Sequence, residues 1–300
     1  MVHETLAATN AVVTLDVALP EVFWGWYVTM NMWAKSIGTG LVFMLFLLLR
    51  RNPQEMKGLR TSAMITSFVM MNVFLLFTLA DLHQPFRMWH IFFYPHLTSA
   101  ITVGAWMATI FVGLESLMIA VMVLKKDEVT YDKLLFWTTL LAIPVTLYTA
   151  AIMAEATARE LWQMPTEAVQ MILAATLSGS AAIILLGGKK LSDETKNFFA
   201  SILGLSALMA FIIYMSEYVF GAMKAEEVAA VLAYIKGDGA YATMFWIGQW
   251  VAYLLPMLFI ALYRTSRSDA MLNLAAILAI AGLWVVKHVW LVIPQLLPLS

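Results

Sequence analysis

The chain has 300 residues, of which 62% are hydrophobic and only 12% are charged, and its formal net charge is −1 at pH 7. That apolar fraction lies well above the composition of an ordinary soluble domain and indicates a protein built for the lipid bilayer. The sequence contains no cysteine, which excludes disulfides, thiolate zinc sites and iron–sulfur clusters bound through cysteines of this chain.

Eight long apolar runs, bounded by charged residues or by Pro and Gly, predict eight transmembrane helices. At a rise of about 1.5 Å per residue, roughly 20 residues cross the hydrocarbon core. The predicted spans cover residues 22–49, 61–81, 97–124, 134–154, 166–187, 197–220, 241–263 and 271–293. We therefore predict an all-α integral membrane fold that forms a single polytopic domain over residues 1–300.

Lys and Arg are concentrated on one side of the predicted bundle. Twelve of the 18 lie in the connectors 50–60, 125–133, 188–196 and 264–270. The opposite side holds Arg87, Arg159, Lys224 and Lys236. Because cytoplasmic loops carry an excess of positive charge, the sequence predicts that both termini lie on the non-cytoplasmic side.

The positions of the histidines argue against a haem in the membrane. They are His3, His83, His90, His96 and His288. Only His288 falls inside a predicted span, whereas bis-histidine ligation needs ligands at similar depth on two spans. We expect neither haem nor a metal site in this chain. A retinal protein would have seven spans, one fewer than the number predicted.

An ordered series of short motifs runs along the first half of the chain. It begins with Phe23-Trp24-Gly25-Trp26, Gly38, Gly40 and Leu79-Ala80-Asp81-Leu82. It continues with Pro85, Arg87, Trp89, His90, Pro95, Ser99, Gly104-Ala105-Trp106, Leu147-Tyr148-Thr149, Arg159, Leu161-Trp162 and Pro165. In order and spacing this series resembles the NrfD/PsrC family, the membrane subunits of polysulfide reductase and related respiratory complexes.

The resemblance implies eight transmembrane helices in two four-helix bundles, which bind menaquinone or another membrane quinone and hold no haem or iron–sulfur cluster. It implies two partners, a ferredoxin-like [4Fe-4S] subunit on the outer face and a molybdopterin catalytic subunit, as in sulfur and polysulfide reductases. The chain would exchange electrons between quinone and the external clusters, as the quinol-reactive subunit of an oxidoreductase in the cytoplasmic membrane with its active face outward. Its other contacts would be with membrane lipid, and not with nucleic acid.

A quinone site needs an apolar slot, hydrogen-bond donors and a proton route. Asn31 and Tyr148 are predicted at similar depth in the outer half of their spans. Tyr148 matches the tyrosine proposed to contact quinone in the family, although it would also fit as a donor to a backbone carbonyl. Asn31 stands where the polysulfide reductase subunit carries a histidine, and Val28 where it carries an asparagine. An amide can bond a quinone carbonyl but cannot take up its proton.

Lys287 and His288, in the outer half of the last span, complete the predicted quinone-binding set. The resemblance places Lys287 where relatives often carry a basic residue, which would position a quinone oxygen or bind a neighbouring carboxylate.

Six further ionisable residues are candidates for proton transfer. They are Asp81, His90, Glu155 and Glu217 on the predicted outer side, and Lys35 and Glu115 in the inner halves of their spans. Asp81 also fits a structural network with Arg87 and His90 that would hold the following loop. Because an isolated charge in hydrocarbon is costly, Lys35 and Glu115 are expected to pair, as steps of a proton path or as a structural ion pair. Lys35 would alternatively snorkel toward the interface.

The alternative function is a secondary transporter or proton-translocating membrane protein without a redox partner. It would use Lys35, Glu115 and Lys287. Transporter sites often contain helices broken near the midplane, and Pro144 and Pro256 lie within predicted spans that they would kink. Proline is, however, tolerated in membrane helices. A purely structural anchor for an external enzyme is a third reading.

Overall fold

The computed structural model describes residues 22–297, so that His3 and the N-terminal segment lie outside the described range. Eight helices in this range are long and apolar enough to cross a membrane, which confirms the predicted all-α integral membrane fold. We number them in chain order as α1 Trp26–Arg51, α2 Pro53–Asp81, α3 Ala100–Lys125, α4 Glu128–Glu155, α5 Met164–Lys190, α6 Asp193–Met223, α7 Ala242–Ser266 and α8 Asp269–Leu296.

At one end of the bundle, which we call the basic end, the helices are joined by tight turns around Asn52, Asp127, Ser192 and Ser268. The side chains of Asn52, Asp127 and Ser192 each accept a hydrogen bond from the backbone N–H three residues later. Such caps satisfy amide groups that the first turn of a helix leaves without a partner. Helices α2, α4 and α6 therefore begin several residues before their apolar runs.

Helix α1 lies at the centre of the bundle and packs against α2, α4, α5 and α8. Gly40 of α1 meets Gly179 of α5 where the two helices cross. A Cβ atom on Gly40 would lie 2.1 Å from the carbonyl oxygen of Ala175. Only glycine permits so close an approach, and the crossing joins the first four helices to the last four.

The start of α1 and the end of α8 lie side by side at the opposite end, which we call the cavity end. The side chain of Gln295 accepts a hydrogen bond from the backbone N–H of Trp24 (2.9 Å) and donates one to its carbonyl (3.0 Å). Arg159 donates to the carbonyls of Pro294 and Leu297, both at 2.7 Å. Because eight helices cross the membrane, the first helix begins and the last helix ends on the same side of the bundle.

The connectors at the cavity end carry structure of their own. The α2–α3 connector contains a 3₁₀ turn, Pro85–Arg87, and a short helix, His90–Phe93. The α6–α7 connector contains the helix Glu226–Ala233, which buries three apolar side chains against the bundle.

The two prolines named above behave differently. Pro144 lies inside a continuous α4. Pro256 follows a π-helical turn, Trp250–Leu254, that interrupts α7. Turns of this kind insert an extra residue into a helix and are frequent at functional sites.

Candidate functional site

A cavity of about 1230 Å³, which we call the large cavity, lies among α1 to α4 at the cavity end. Its wall is mainly apolar. Polar side chains reach it from several helices and from the α2–α3 connector: Asn31, Asn72, Thr78, Asp81, His83, Gln84, Arg87, His90, Thr102, Thr109, Tyr148 and Thr149. Pockets for small molecules usually measure about 300–1,000 Å³, so this cavity has room for a ring that carries a long apolar chain.

Three apolar residues of α2 and α3 lie on the wall of the large cavity. Val69 and Leu76 of α2 and Ile101 of α3 line it and are also exposed on the outside of the bundle. In a membrane this side of the protein faces hydrocarbon.

Tyr148 extends from α4 into the large cavity and packs directly on the backbone of α3. A Cβ atom on Gly104 would lie 2.3 Å from Cδ2 of Tyr148, so this ring position requires glycine at residue 104. The edge of Tyr148 meets Phe74 with ring centroids 6.2 Å apart. Glycine in the Gly104-Ala105-Trp106 motif thus sets the position of the tyrosine in the Leu147-Tyr148-Thr149 motif.

Asn31 of α1 also lines the large cavity, and a neighbouring side chain already orients it. Its Nδ2 donates to Oγ1 of Thr78 (2.5 Å), which in turn donates to the carbonyl of Phe74 (2.8 Å). A side-chain amide has two N–H donors and one carbonyl acceptor. The second N–H and the acceptor of Asn31 therefore remain for a ligand, and the predicted pair Asn31 and Tyr148 does share one cavity.

Lys35 lies behind the large cavity and is only 1% exposed. Its Nζ donates to the hydroxyl of Thr149 and to the carbonyl of Thr146 (3.4 Å), and it lies 4.3 Å from the centroid of the Tyr148 ring. Thr149 and Tyr148 both line the cavity. They separate the ammonium group of Lys35 from the space inside.

The predicted ion pair between Lys35 and Glu115 is not formed. The salt bridges of the described residues include neither side chain. Glu115 instead contacts the hydroxyl of Ser67, which also donates to the carbonyl of Gly38 (2.8 Å). The two residues have separate partners, because Lys35 points to α4 and Glu115 to α2. The Oε2 atom of Glu115 is buried without a hydrogen-bond partner.

Asp81 and His90 line the rim of the large cavity, but the predicted network with Arg87 is wrong. No ion pair within 4.0 Å joins Asp81 to Arg87 or His90 among residues 22–297. Arg87 is exposed at the end of the Pro85–Arg87 turn. His90 packs against the rings of Trp89 and Tyr94 instead, with centroids 3.9 and 5.7 Å apart.

Glu155 and Glu217, the other two outer candidates, do not line the large cavity. Glu155 accepts a hydrogen bond from the backbone N–H of Ala100 (3.0 Å), which satisfies the first turn of α3. Glu217 pairs with Lys224 at 2.5 Å. Both carboxylates therefore have structural partners.

A second buried polar group, which we call the Lys287 cluster, consists of Glu167, Gln170, Tyr214, Lys287 and Trp290. Trp290 donates from Nε1 to Glu167 (3.0 Å), and Tyr214 donates to Gln170 (2.8 Å). These residues surround a cavity of about 10 Å³, roughly the space that one water molecule needs. The Nε2 atom of Gln170 has no hydrogen-bond partner.

An apolar wall separates the Lys287 cluster from the large cavity. Met32, Met153 and Leu291 line both spaces. Lys287, whose Nζ has a sulfur contact with Met171 at 3.6 Å, therefore lies outside the cavity that holds Asn31 and Tyr148. His288 occupies a third position, where Nδ1 bonds Thr29 (2.9 Å).

The sequence does not single out Glu167 or Gln170. The sequence pattern that could have identified these two residues is a carboxylate and an amide three residues apart. This spacing places both on one face of the helix, at the start of a predicted span. Both are buried, at 1% and 6% exposure. Among residues 22–297 no group of three or more His, Asp or Glu side chains is placed to hold a metal ion.

Comparison with known families gives one match. The sequence model of the family described as polysulphide reductase, NrfD, matches residues 17–297, nearly the whole chain. No curated protein matches the chain.

Proposed function

The chain belongs to the polysulphide reductase NrfD family of integral membrane proteins, and we propose that it is the quinone-binding and quinol-binding membrane subunit of a respiratory oxidoreductase. In this proposal it exchanges electrons between menaquinone, or another membrane quinone, and an external [4Fe-4S] subunit. The observation that carries the proposal is the large cavity, which is mostly apolar, is about 1230 Å³ in volume and is lined in part by apolar side chains that are also exposed.

The residues of the large cavity suit a quinone. When bound, such a molecule supplies the two-electron, two-proton chemistry of its ring. Asn31 and Tyr148 offer hydrogen-bond donors to the ring oxygens. The exposed apolar residues Val69, Leu76 and Ile101 offer a path for the isoprenoid tail.

Proton exchange needs groups other than Asn31, because an amide does not titrate near neutral pH. Asp81 and His90 line the same cavity at its rim. A carboxyl group and an imidazole can each accept and release a proton, and neither side chain is buried at the cavity end. We assign to them the transfer of protons between the ring oxygens and the aqueous phase.

The proposed partner docks at the cavity end. The α2–α3 connector exposes Phe86, Phe93, Tyr94 and Leu97, and Phe86 is 93% exposed. A cluster of exposed apolar side chains next to a cavity is typical of an interaction surface. A ferredoxin-like [4Fe-4S] subunit on this surface, itself bound to a molybdopterin subunit, would lie directly above the quinone. The basic end then faces the cytoplasm.

The function can be tested on the complex isolated with its native partners. Cluster reduction is followed spectroscopically after addition of a menaquinol analogue. Tyr148→Phe removes one hydrogen bond and should slow the reduction roughly three- to tenfold. Tyr131→Phe is the matched control, because Tyr131 is buried at the basic end and donates to the carbonyl of Arg60. An intact complex in which quinol reduces no cluster would refute the proposal.

Proton translocation without a redox partner is the second candidate. It is favoured by the Lys287 cluster, because Tyr253 of the π-helical turn stacks on Tyr214 with centroids 6.0 Å apart. The chain reconstituted alone in liposomes would then move protons along a pH gradient, and Glu167→Gln would abolish this flux. Flux equal to that of empty liposomes excludes this candidate.

A further inference from the structure

Lys35 differs from the buried cations at the basic end in having no carboxylate partner. Arg60 pairs with Asp132 at 2.8 Å, and Lys196 pairs with Asp269 at 2.8 Å. Within residues 22–297, no Asp or Glu oxygen lies within 4.0 Å of Nζ of Lys35. Its partners are a hydroxyl, a carbonyl and the face of an aromatic ring. These groups solvate an ammonium ion but do not neutralise it.

The position of Lys35 directs its amino group at the large cavity. It lies four residues, or about 6 Å, further into α1 than Asn31, which lines the cavity. Thr149, which accepts its hydrogen bond, and Tyr148, whose ring it faces, are wall residues. The field of a charge in so apolar a surrounding is weakly screened and extends into the cavity.

The charged residues at the rim do not replace Lys35. Asp81 and Arg87 line the outer part of the cavity and are more accessible to water than Lys35. Asp81 is three residues beyond Thr78, the partner of Asn31, and so lies roughly 10 Å from the level of Lys35. Water and salt screen charges at that position.

We propose that Lys35 carries a proton when an anionic ring ligand occupies the large cavity, and that its charge makes the cavity select anionic ring ligands over neutral rings of the same size. The inference rests on the proposed quinone site. It names the ligand that this site prefers, a hydroxyquinone in its ionised form. The negative oxygen of such a ligand, placed near Thr149, is the counter-charge that Lys35 lacks. Lys35 acts through Thr149 and is a specificity-determining residue that does not itself line the cavity.

The test compares two naphthoquinones of similar size on the full chain in lipid nanodiscs. Lawsone is a hydroxynaphthoquinone that is an anion at neutral pH, and menadione is neutral. For an effective dielectric constant of about 20 and a separation of about 8 Å, one positive charge favours the anion roughly ten- to fiftyfold. Removal of the charge of Lys35 is therefore expected to lower the ratio of lawsone affinity to menadione affinity by a factor in this range.

Three variants separate charge from structure. Lys35→Met removes the charge and the donor, and Lys35→Gln removes the charge but keeps a donor to Thr149. Lys189→Met removes an exposed lysine charge at the basic end, away from the cavity, and serves as the control for the substitution. We expect both Lys35 variants to lose the preference for lawsone and the Lys189 variant to retain it. Menadione affinity within about threefold of the wild type shows that each variant is folded.

Two results would overturn the inference while the quinone site stands. In the first, menadione binds but the ratio of affinities is the same in the wild type and in Lys35→Met. In the second, Lys35→Gln keeps the preference for lawsone that Lys35→Met loses. The preference would then arise from the hydrogen bond to Thr149 and not from the charge of Lys35. If neither ring binds to the wild-type protein, the proposed function fails, and the inference with it.

Discussion

The ring of Tyr148 lies directly on the backbone of Gly104, where a Cβ atom would stand 2.3 Å from Cδ2 and 2.7 Å from Cε2 of the tyrosine. The two residues belong to different helices, α4 and α3, and both line the large cavity. The position of the tyrosine hydroxyl therefore depends on the absence of a side chain on the neighbouring helix.

Gly104→Ala should displace Tyr148 and weaken ligand binding in the large cavity. The added methyl group overlaps ring atoms of a buried side chain, so the ring has to move away from α3. We expect menadione affinity to fall roughly tenfold, measured by quenching of tryptophan fluorescence. Gly113→Ala on the same helix is the control, because a Cβ there meets no atom within 4 Å. Equal affinities for the two variants would contradict this account of Tyr148.

Glu115 should tolerate an amide better than an apolar side chain. The Ser67 hydroxyl lies within donor distance of both the carbonyl of Gly38 and the Glu115 side chain. A side-chain amide both donates and accepts, so Gln keeps the contact with Ser67 whichever group takes the hydroxyl hydrogen, whereas Leu does not. Glu115→Leu should lower the free energy of unfolding by about 1–3 kcal/mol relative to Glu115→Gln, as measured by thermal denaturation in detergent.

The same Gln variant tests the proton-path hypothesis for Glu115. A carboxylate that carries protons cannot be replaced by an amide. If Glu115→Gln leaves quinol-dependent electron transfer and proton uptake unchanged, Glu115 has a structural role alone.

Glu167 should stabilise the fold through Trp290. The carboxylate accepts the indole N–H at 3.0 Å, and Glu167→Leu leaves that buried donor without a partner. We expect a loss of about 1–3 kcal/mol for the Leu variant and a smaller one for Glu167→Gln, which keeps an acceptor. In a double-mutant cycle with Trp290→Phe, the two losses should not be additive. Additive losses would show that the two side chains are not coupled.

Two arginines at the basic end offer a matched contrast in burial. The side chain of Arg60 is 2% exposed and bridges Asp132 and Glu128, whereas the pair Arg51–Glu194 lies at the surface. Arg60→Ala leaves Asp132 without its partner and should lower stability by about 2 kcal/mol. Arg51→Ala should leave the melting temperature nearly unchanged, because exposed pairs are screened. A larger effect at Arg51 would refute this ranking.

The absence of cysteine allows the orientation to be read with single introduced thiols. Lys189 is exposed at the basic end and Asp238 is exposed at the cavity end. In intact cells that produce the chain alone, a membrane-impermeant maleimide should label Asp238→Cys, and should label Lys189→Cys only after the membrane is opened. The reverse pattern would place the cavity end in the cytoplasm.

Hydropathy along the chain was sufficient to predict the eight helices, because burial of apolar residues in lipid depends on length and composition. It did not predict where α2, α4 and α6 begin, since their first turns are polar and are stabilised by caps at Asn52, Asp127 and Ser192. At the basic end, the spans predicted from apolar runs are therefore shorter than the helices of the structure.

The sequence by itself determined the number of helices and, through the fixed rise per residue, the similar depth of Asn31 and Tyr148. Only the tertiary structure decided which side chains meet. Depth follows from position along a helix, but direction depends on how each helix is rotated against its neighbours, and apolar spans carry little information about that rotation. Lys35 therefore turned toward Thr149 instead of Glu115, and Lys287 came to lie behind the methionine wall, away from Tyr148.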